Sequence, residues 1–145
     1  LYPGALDALA ELRKKGYRLW LLSNAQQIFT AYELRHLGLG EQLDGIYLSS
    51  DYGCRKPDQR FYRVLMQEQG LNPEHCLMIG NDRETDIAGA REAGMATLYM
   101  HTNLTPADQD KADPALHPGK AGKACRHFEY EGWDWEELSQ LICQM

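Results

Sequence analysis

Apolar positions along this chain recur with two periods, and the switches between them divide it into helices and strands. Leu6, Leu9 and Leu12, with Ala5, Ala8 and Ala10 between them, repeat at helical spacing. An amphipathic helix is therefore predicted over residues 3–15, with Pro3 at a first helical position and Gly16 as its stop. The short apolar run 17–22 (YRLWLL), halted by Ser23-Asn24-Ala25, reads as a buried strand ending in a polar turn. Helical spacing returns over 28–37 and stops at Gly38. A second strand, 45–49 (GIYLS), leads into a polar loop holding Asp51, Gly53, Cys54, Arg55, Lys56, Pro57 and Asp58, and a helix over 59–69 follows, closed by Gly70. The stretch 76–94, CLMIGNDRETDIAGAREAG, reads as a buried strand, a tight acidic turn and a helix, and 96–100 (ATLYM) as a further strand. Strand and helix in alternation imply an α/β fold, with parallel strands joined by crossover helices on both faces of one sheet.

From His101 the pattern weakens. Residues 102–124 carry proline and glycine without periodicity and read as loop; the small basic cluster of Lys120, Lys123 and Arg126, near His117 and His127, reads as solvated. Residues 126–131 alternate loosely, as an edge strand does. Asp134 resembles an N-cap, with an acid at the capping-box position, and opens a last helix to about Cys143. The expected organisation is a core over 1–101, with 102–145 supplying a loop, an edge strand and a carboxyl-terminal helix packed on that core.

Composition narrows the function class. At 145 residues, 43% hydrophobic and 25% charged, the chain is one soluble domain's worth, and its net charge of -6 argues against a nucleic-acid partner. No apolar run is long enough to span a membrane and no signal peptide opens the chain. The four cysteines form no CxxC pair, so reduced thiols in a cytoplasmic protein are expected.

The polar residues at the strand ends point to chemistry. Asp82 and Asp86 stand four apart at the start of a helix, on one side of its first turn and aimed back over the carboxyl end of the preceding strand. That edge is where open α/β sheets bind ligands. Two carboxylates held this close repel each other, and a hard divalent cation relieves the repulsion, Mg²⁺ being the commonest beside a phosphate. The alternative is that both acids only cap the helix and complement its dipole. Ser23 after the first strand offers a hydroxyl and exposed amides, and Lys56 after the second offers a cation. Together these groups make a cradle for a phosphoryl group. Taken singly, Ser23 and Asn24 are ordinary turn residues and Lys56 an ordinary loop charge; their order as a set is what suggests phosphate chemistry.

LLSNA (21–25), RKPD (55–58) and GNDRETDIAGA (80–90) resemble, in this order, the second, third and fourth motifs of the haloacid-dehalogenase-like (HAD) hydrolase superfamily. YPGALDALAELRKKG (2–16) looks like the helix that follows the inserted helical cap of some members. The resemblance runs from Tyr2 to about Met100. It implies a three-layer, Rossmann-like HAD core with a parallel sheet and Mg²⁺ as cofactor. By the same resemblance Ser23 hydrogen-bonds the phosphate with Asn24 beside it, Lys56 stabilises a phosphoaspartyl intermediate, Asp82 coordinates Mg²⁺ and Asp86 supports the metal or its waters. The family's first motif, a strand ending in Asp-x-Asp with the nucleophile, has no counterpart here. The one Asp-x-Asp, Asp108-Gln109-Asp110, lies in a proline-flanked loop without a preceding strand. In the family that strand sits mid-sheet, between the strands of the second and fourth motifs, so its absence leaves two buried edges without ladder partners. The expectation is the carboxyl-terminal portion of a longer enzyme, its leading segment carrying first motif and cap.

The function expected is a Mg²⁺-dependent phosphatase of a small phosphorylated metabolite, acting through an aspartyl-phosphate. A phosphomutase would use the same residues, whereas dehalogenation needs no metal and the acids of DRETD argue against it. No GxxxxGK[ST] suggests a nucleotide-binding loop. The alternative from another class is a non-catalytic module that keeps the phosphate and metal cradle for binding or partner interaction. Substrate identity and oligomeric state are not legible at this level.

Overall fold

Short parallel strands, four to six residues each, organise the computed structural model, which describes residues 1–105 and 126–145. The expectations for Asp108, Asp110, His117, Lys120, Lys123 and Cys125 lie outside the described residues. The chain divides into two compact units, Leu1–Gly53 with Trp133–Met145, and Cys54–Gly132.

In the first unit, α1 (Ala5–Lys14) buries Ala5, Ala8 and Leu12, a stripe at spacings of three and four, and the chain leaves it through Gly16 at a left-handed φ of 90°. β1 (Trp20–Ser23) and β2 (Gly45–Leu48) pair in register from Trp20↔Gly45 to Ser23↔Leu48, with α2 (Gln27–His36) as the crossover. β1 starts later than the apolar run at Tyr17 suggests. The backbone of Leu19 is engaged by Asp44 instead: its N–H donates to Asp44 Oδ2 at 2.7 Å and its carbonyl accepts from the Asp44 N–H at 2.6 Å. The polar loop after β2 opens as a helical turn, α3 (Ser49–Tyr52). Ser49 Oγ donates to the Ala25 carbonyl at 3.2 Å and Ser50 Oγ accepts from the Gln27 N–H at 2.9 Å, which ties the turns after β1 and β2 together. The last helix, α6 (Trp135–Ile142), is capped by Asp134, whose Oδ1 accepts from the Glu136 and Glu137 N–H groups at 3.0 and 3.1 Å. It packs on α1, and burying a side chain such as Leu12 or Leu138 there contributes about 1.5–3 kcal/mol.

In the second unit, α4 (Gln59–Gln69) begins at the Asp58 N-cap and buries Phe61, Tyr62 and Leu65. It ends where Gly70 turns left-handed and the Leu71 N–H returns to the Met66 carbonyl at 2.9 Å. β3 (Leu77–Gly80), β4 (Ala96–His101) and β5 (His127–Glu131) form a parallel sheet in the order β3-β4-β5. The connection from β3 to β4 is a π-helical turn, Arg83–Ala88, running on into α5 (Gly89–Glu92). Ile87, Ala90, Leu98 and Tyr99 are almost fully buried here.

The strands therefore form a two-stranded and a three-stranded parallel sheet. Among the described residues β1 pairs with β2 alone and β3 with β4 alone, so the strands of the second and fourth motifs each keep one edge without a partner. These are the edges that the HAD resemblance expects a first-motif strand to pair. No helix among the described residues is long and apolar enough to cross a membrane, and no disulfide links the described cysteines Cys54, Cys76 and Cys143 to one another.

Candidate active site

β3 stops at Gly80 and the chain turns through Asn81 and Asp82. Asp82 is the N-cap of the segment that follows: its Oδ1 accepts from the N–H groups of Glu84 at 3.0 Å and Thr85 at 2.8 Å. The first turn is wide. The Asp82 carbonyl accepts from both the Asp86 N–H at 3.0 Å and the Ile87 N–H at 3.2 Å, the second being the i→i+5 bond of a π-helix. The Asp86 side chain folds back, so that its Oδ2 accepts from the Asn81 and Asp82 N–H groups at 3.1 Å each. The carboxyl lies so close over Gly80 that a Cβ there would stand 2.3 Å from Oδ2, and only glycine leaves it room.

The other oxygen of Asp86, Oδ1, accepts from Lys56 Nζ at 2.5 Å, and both side chains are 9% exposed. A buried ion pair of this kind makes each partner dependent on the other, since removing either leaves an uncompensated charge out of water. α4, which starts three residues after Lys56, supports the acidic turn from a second side. The Tyr62 hydroxyl donates to the Thr85 carbonyl and Gln59 Nε2 donates to the Gly89 carbonyl at 2.9 Å. Burial first, and then the carboxylates of Asp86 and Asp82, push the Tyr62 phenol up from its ordinary range, so it remains a protonated donor.

The structure thus brings Lys56, Asp82 and Asp86 together at the carboxyl end of β3. Ser23 belongs to the first unit, where it closes β1 opposite Leu48, half-buried, with Asn24 exposed beside it. Sequence reasoning did not single out Gly80, Gln59 or Tyr62. Tyr62 stands out in the pattern only as a buried-face residue of helix 59–69, and the approach of Asp86 to Gly80 leaves no trace in periodicity.

Among the described residues no group of three or more His, Cys, Asp or Glu side chains is arranged to hold a metal ion by itself. The carboxylate oxygens divide unequally: both of Asp86 and Oδ1 of Asp82 accept the hydrogen bonds given above, which leaves Asp82 Oδ2 for a ligand. That donor set fits Mg²⁺, which takes one or two carboxylates and keeps several waters, and not a closed protein cage of the zinc type.

The family model of haloacid dehalogenase-like hydrolases matches residues 1–94. Glyceraldehyde 3-phosphate phosphatase of Methanothermobacter thermautotrophicus is 33% identical over 112 residues, 77% of this chain and 50% of that protein. Phosphoserine phosphatase of Thermus thermophilus is 34% identical over 119 residues, 82% of this chain and 47% of that protein. The chain spans about half the length of the curated relatives it matches. Among solved structures, YfnB of Bacillus subtilis, bound to magnesium, aligns with a TM-score of 0.75 at 24% identity, over 99% of this chain and 55% of that one, a likeness of fold.

Proposed function

Because the chain belongs to the haloacid dehalogenase-like hydrolases, we propose that it forms part of a Mg²⁺-dependent phosphatase acting on a small phosphorylated metabolite through an aspartyl-phosphate intermediate. The observation that carries this reading is the buried Lys56–Asp86 pair at the carboxyl end of β3, with Asp82 donating its backbone N–H to the same Asp86 carboxylate. Lys56 places a positive charge where a phosphoryl group would gain negative charge, and Asp86 holds that ammonium in place. Asp82 Oδ2 would hold Mg²⁺, with Asp86 acting through water. When bound, the ion supplies Lewis-acid neutralisation of the phosphoryl oxygens. Ser23 Oγ, with Asn24 beside it, donates to a non-bridging oxygen, and the nucleophile is a first-motif aspartate outside residues 1–145. The two phosphatases above support the substrate class, and the magnesium of the Bacillus subtilis structure supports the cofactor.

The test is hydrolysis of p-nitrophenyl phosphate by the full-length protein across a Mg²⁺ titration. Turnover should rise with Mg²⁺ and fall by about 10²-fold or more in Lys56→Ala and in Asp82→Asn. A full-length protein that gains thermal stability from phosphate or Mg²⁺ by mass action, yet shows no turnover, would replace the phosphatase by a non-catalytic binding module.

A further inference from the structure

Tyr62 carries a polar group into the core for a reason that packing alone does not supply. The residue is 1% exposed, and its hydroxyl reaches the carbonyl of Thr85 in the middle of the π-helical turn. In a regular α-helix that carbonyl would accept from the N–H of Gly89, four residues on. Here the register has shifted, and the Gly89 N–H goes to the carbonyls of Glu84 and Asp86 instead. Thr85 has therefore lost its α-helical donor, and the Tyr62 hydroxyl takes that donor's place. A buried carbonyl left without a donor is disfavoured, so the phenol favours the π register over the α register.

The register matters because it bears on where the Asp86 carboxylate points. One residue of shift rotates everything after it by about 100° around the helix axis. In the observed register the Asp86 carboxylate returns over Gly80 to the Asn81 and Asp82 amides and to Lys56. Room for the phenol is also provided: a Cβ on Gly89 would stand 2.5 Å from the Tyr62 hydroxyl. We propose that Tyr62 is a positioning residue of the phosphoryl site, its hydroxyl holding the π register that aims Asp86 and, through Asp86, Lys56. This rests on the phosphatase reading for its kinetic consequence and on the turn geometry alone for its structural one.

The test is Tyr62→Phe in the full-length protein, which removes the hydroxyl and keeps the ring. We expect backbone amide exchange at Asn81 and Asp82 to quicken about tenfold relative to the β4 amides, because their acceptor Asp86 is released. With p-nitrophenyl phosphate, kcat should fall about tenfold and the Mg²⁺ concentration for half-activation should rise about fivefold, while KM stays within about twofold. Gly89→Ala, which displaces the phenol without deleting it, should give the same pattern, and the double variant should be no worse than either single one. Exchange and kinetics within about twofold of wild type, or a fall in thermal stability with exchange quickened uniformly, would overturn the inference. A wild-type protein without turnover would overturn the phosphatase reading instead. The exchange measurement would then decide on Tyr62: local quickening in Tyr62→Phe supports the register role, and its absence removes it.

Discussion

Lys56–Asp86 and Arg60–Asp58 are ion pairs of nearly equal length, 2.5 and 2.6 Å, and their nearest members lie two residues apart in the chain. Their surroundings differ. The side chains of the first pair are each 9% exposed; those of the second are 68% and 35% exposed. In water the Arg60 guanidinium and the Asp58 carboxylate are already well solvated, so their contact adds little and salt screens it. Out of water, neither Lys56 nor Asp86 is tolerable without the other. Length alone says nothing about which contact organises a site; burial and the number of additional hydrogen bonds do.

The largest effect expected from this contrast is that of Lys56→Met, which leaves the Asp86 carboxylate buried and unpaired. Urea unfolding should show a loss of about 3–5 kcal/mol, together with loss of turnover. A loss no greater than that of Arg60→Ala would erase the distinction between the two pairs. Next comes Gly80→Ala, which drives a methyl group into the Asp86 carboxyl. It should cost about 1–3 kcal/mol by the same measurement and lower turnover, since the side chain that must give way is the one holding Lys56.

The exposed pair makes itself felt through pH. The Arg60 side chain, and then its backbone N–H, hold the Asp58 carboxyl at about 2, below its ordinary 3.8. A carboxyl depressed in the folded state favours folding while it is ionised. Its contribution is therefore complete above 3.8 and is lost as the pH falls from there to about 2. Thermal melts across that window should slope less steeply in Asp58→Asn, and the difference should shrink in high salt. The smallest effect belongs to Arg60→Ala at neutral pH. Calorimetry should find its melting temperature close to that of the wild type, with phosphatase turnover unchanged.

The two pairs were unequally legible in the sequence. The helix over 59–69 is a local matter, decided by a periodic run and by Gly70 after it, and the observed helix, Gln59–Gln69, has those bounds, with Asp58 as its N-cap. Ser23, Lys56, Asp82 and Asp86 stand out in the sequence as a set by their order at successive strand ends. That Asp86 spends both oxygens on Lys56 and on two backbone amides was not visible, because those bonds depend on the π register, and that register depends on Tyr62 and Gly89, which reach the turn from elsewhere. The late start of β1 has a similar cause: it depends on Asp44, 25 residues from Leu19. So does α3, whose serines bond the turn after β1.

By itself the amino-acid sequence determined the alternation of strands and helices, the order of the three motifs and the family to which the chain belongs. These follow from hydrophobic period, capping and turn chemistry, all of which act within a few residues. Only the tertiary structure decided that Lys56 and Asp86 form a buried pair, that Asp82 commits one carboxylate oxygen to two backbone amides, and that a tyrosine hydroxyl replaces a lost backbone donor. Those outcomes depend on which groups are withdrawn from water and which partners then lie within hydrogen-bonding reach, and packing between distant segments settles both.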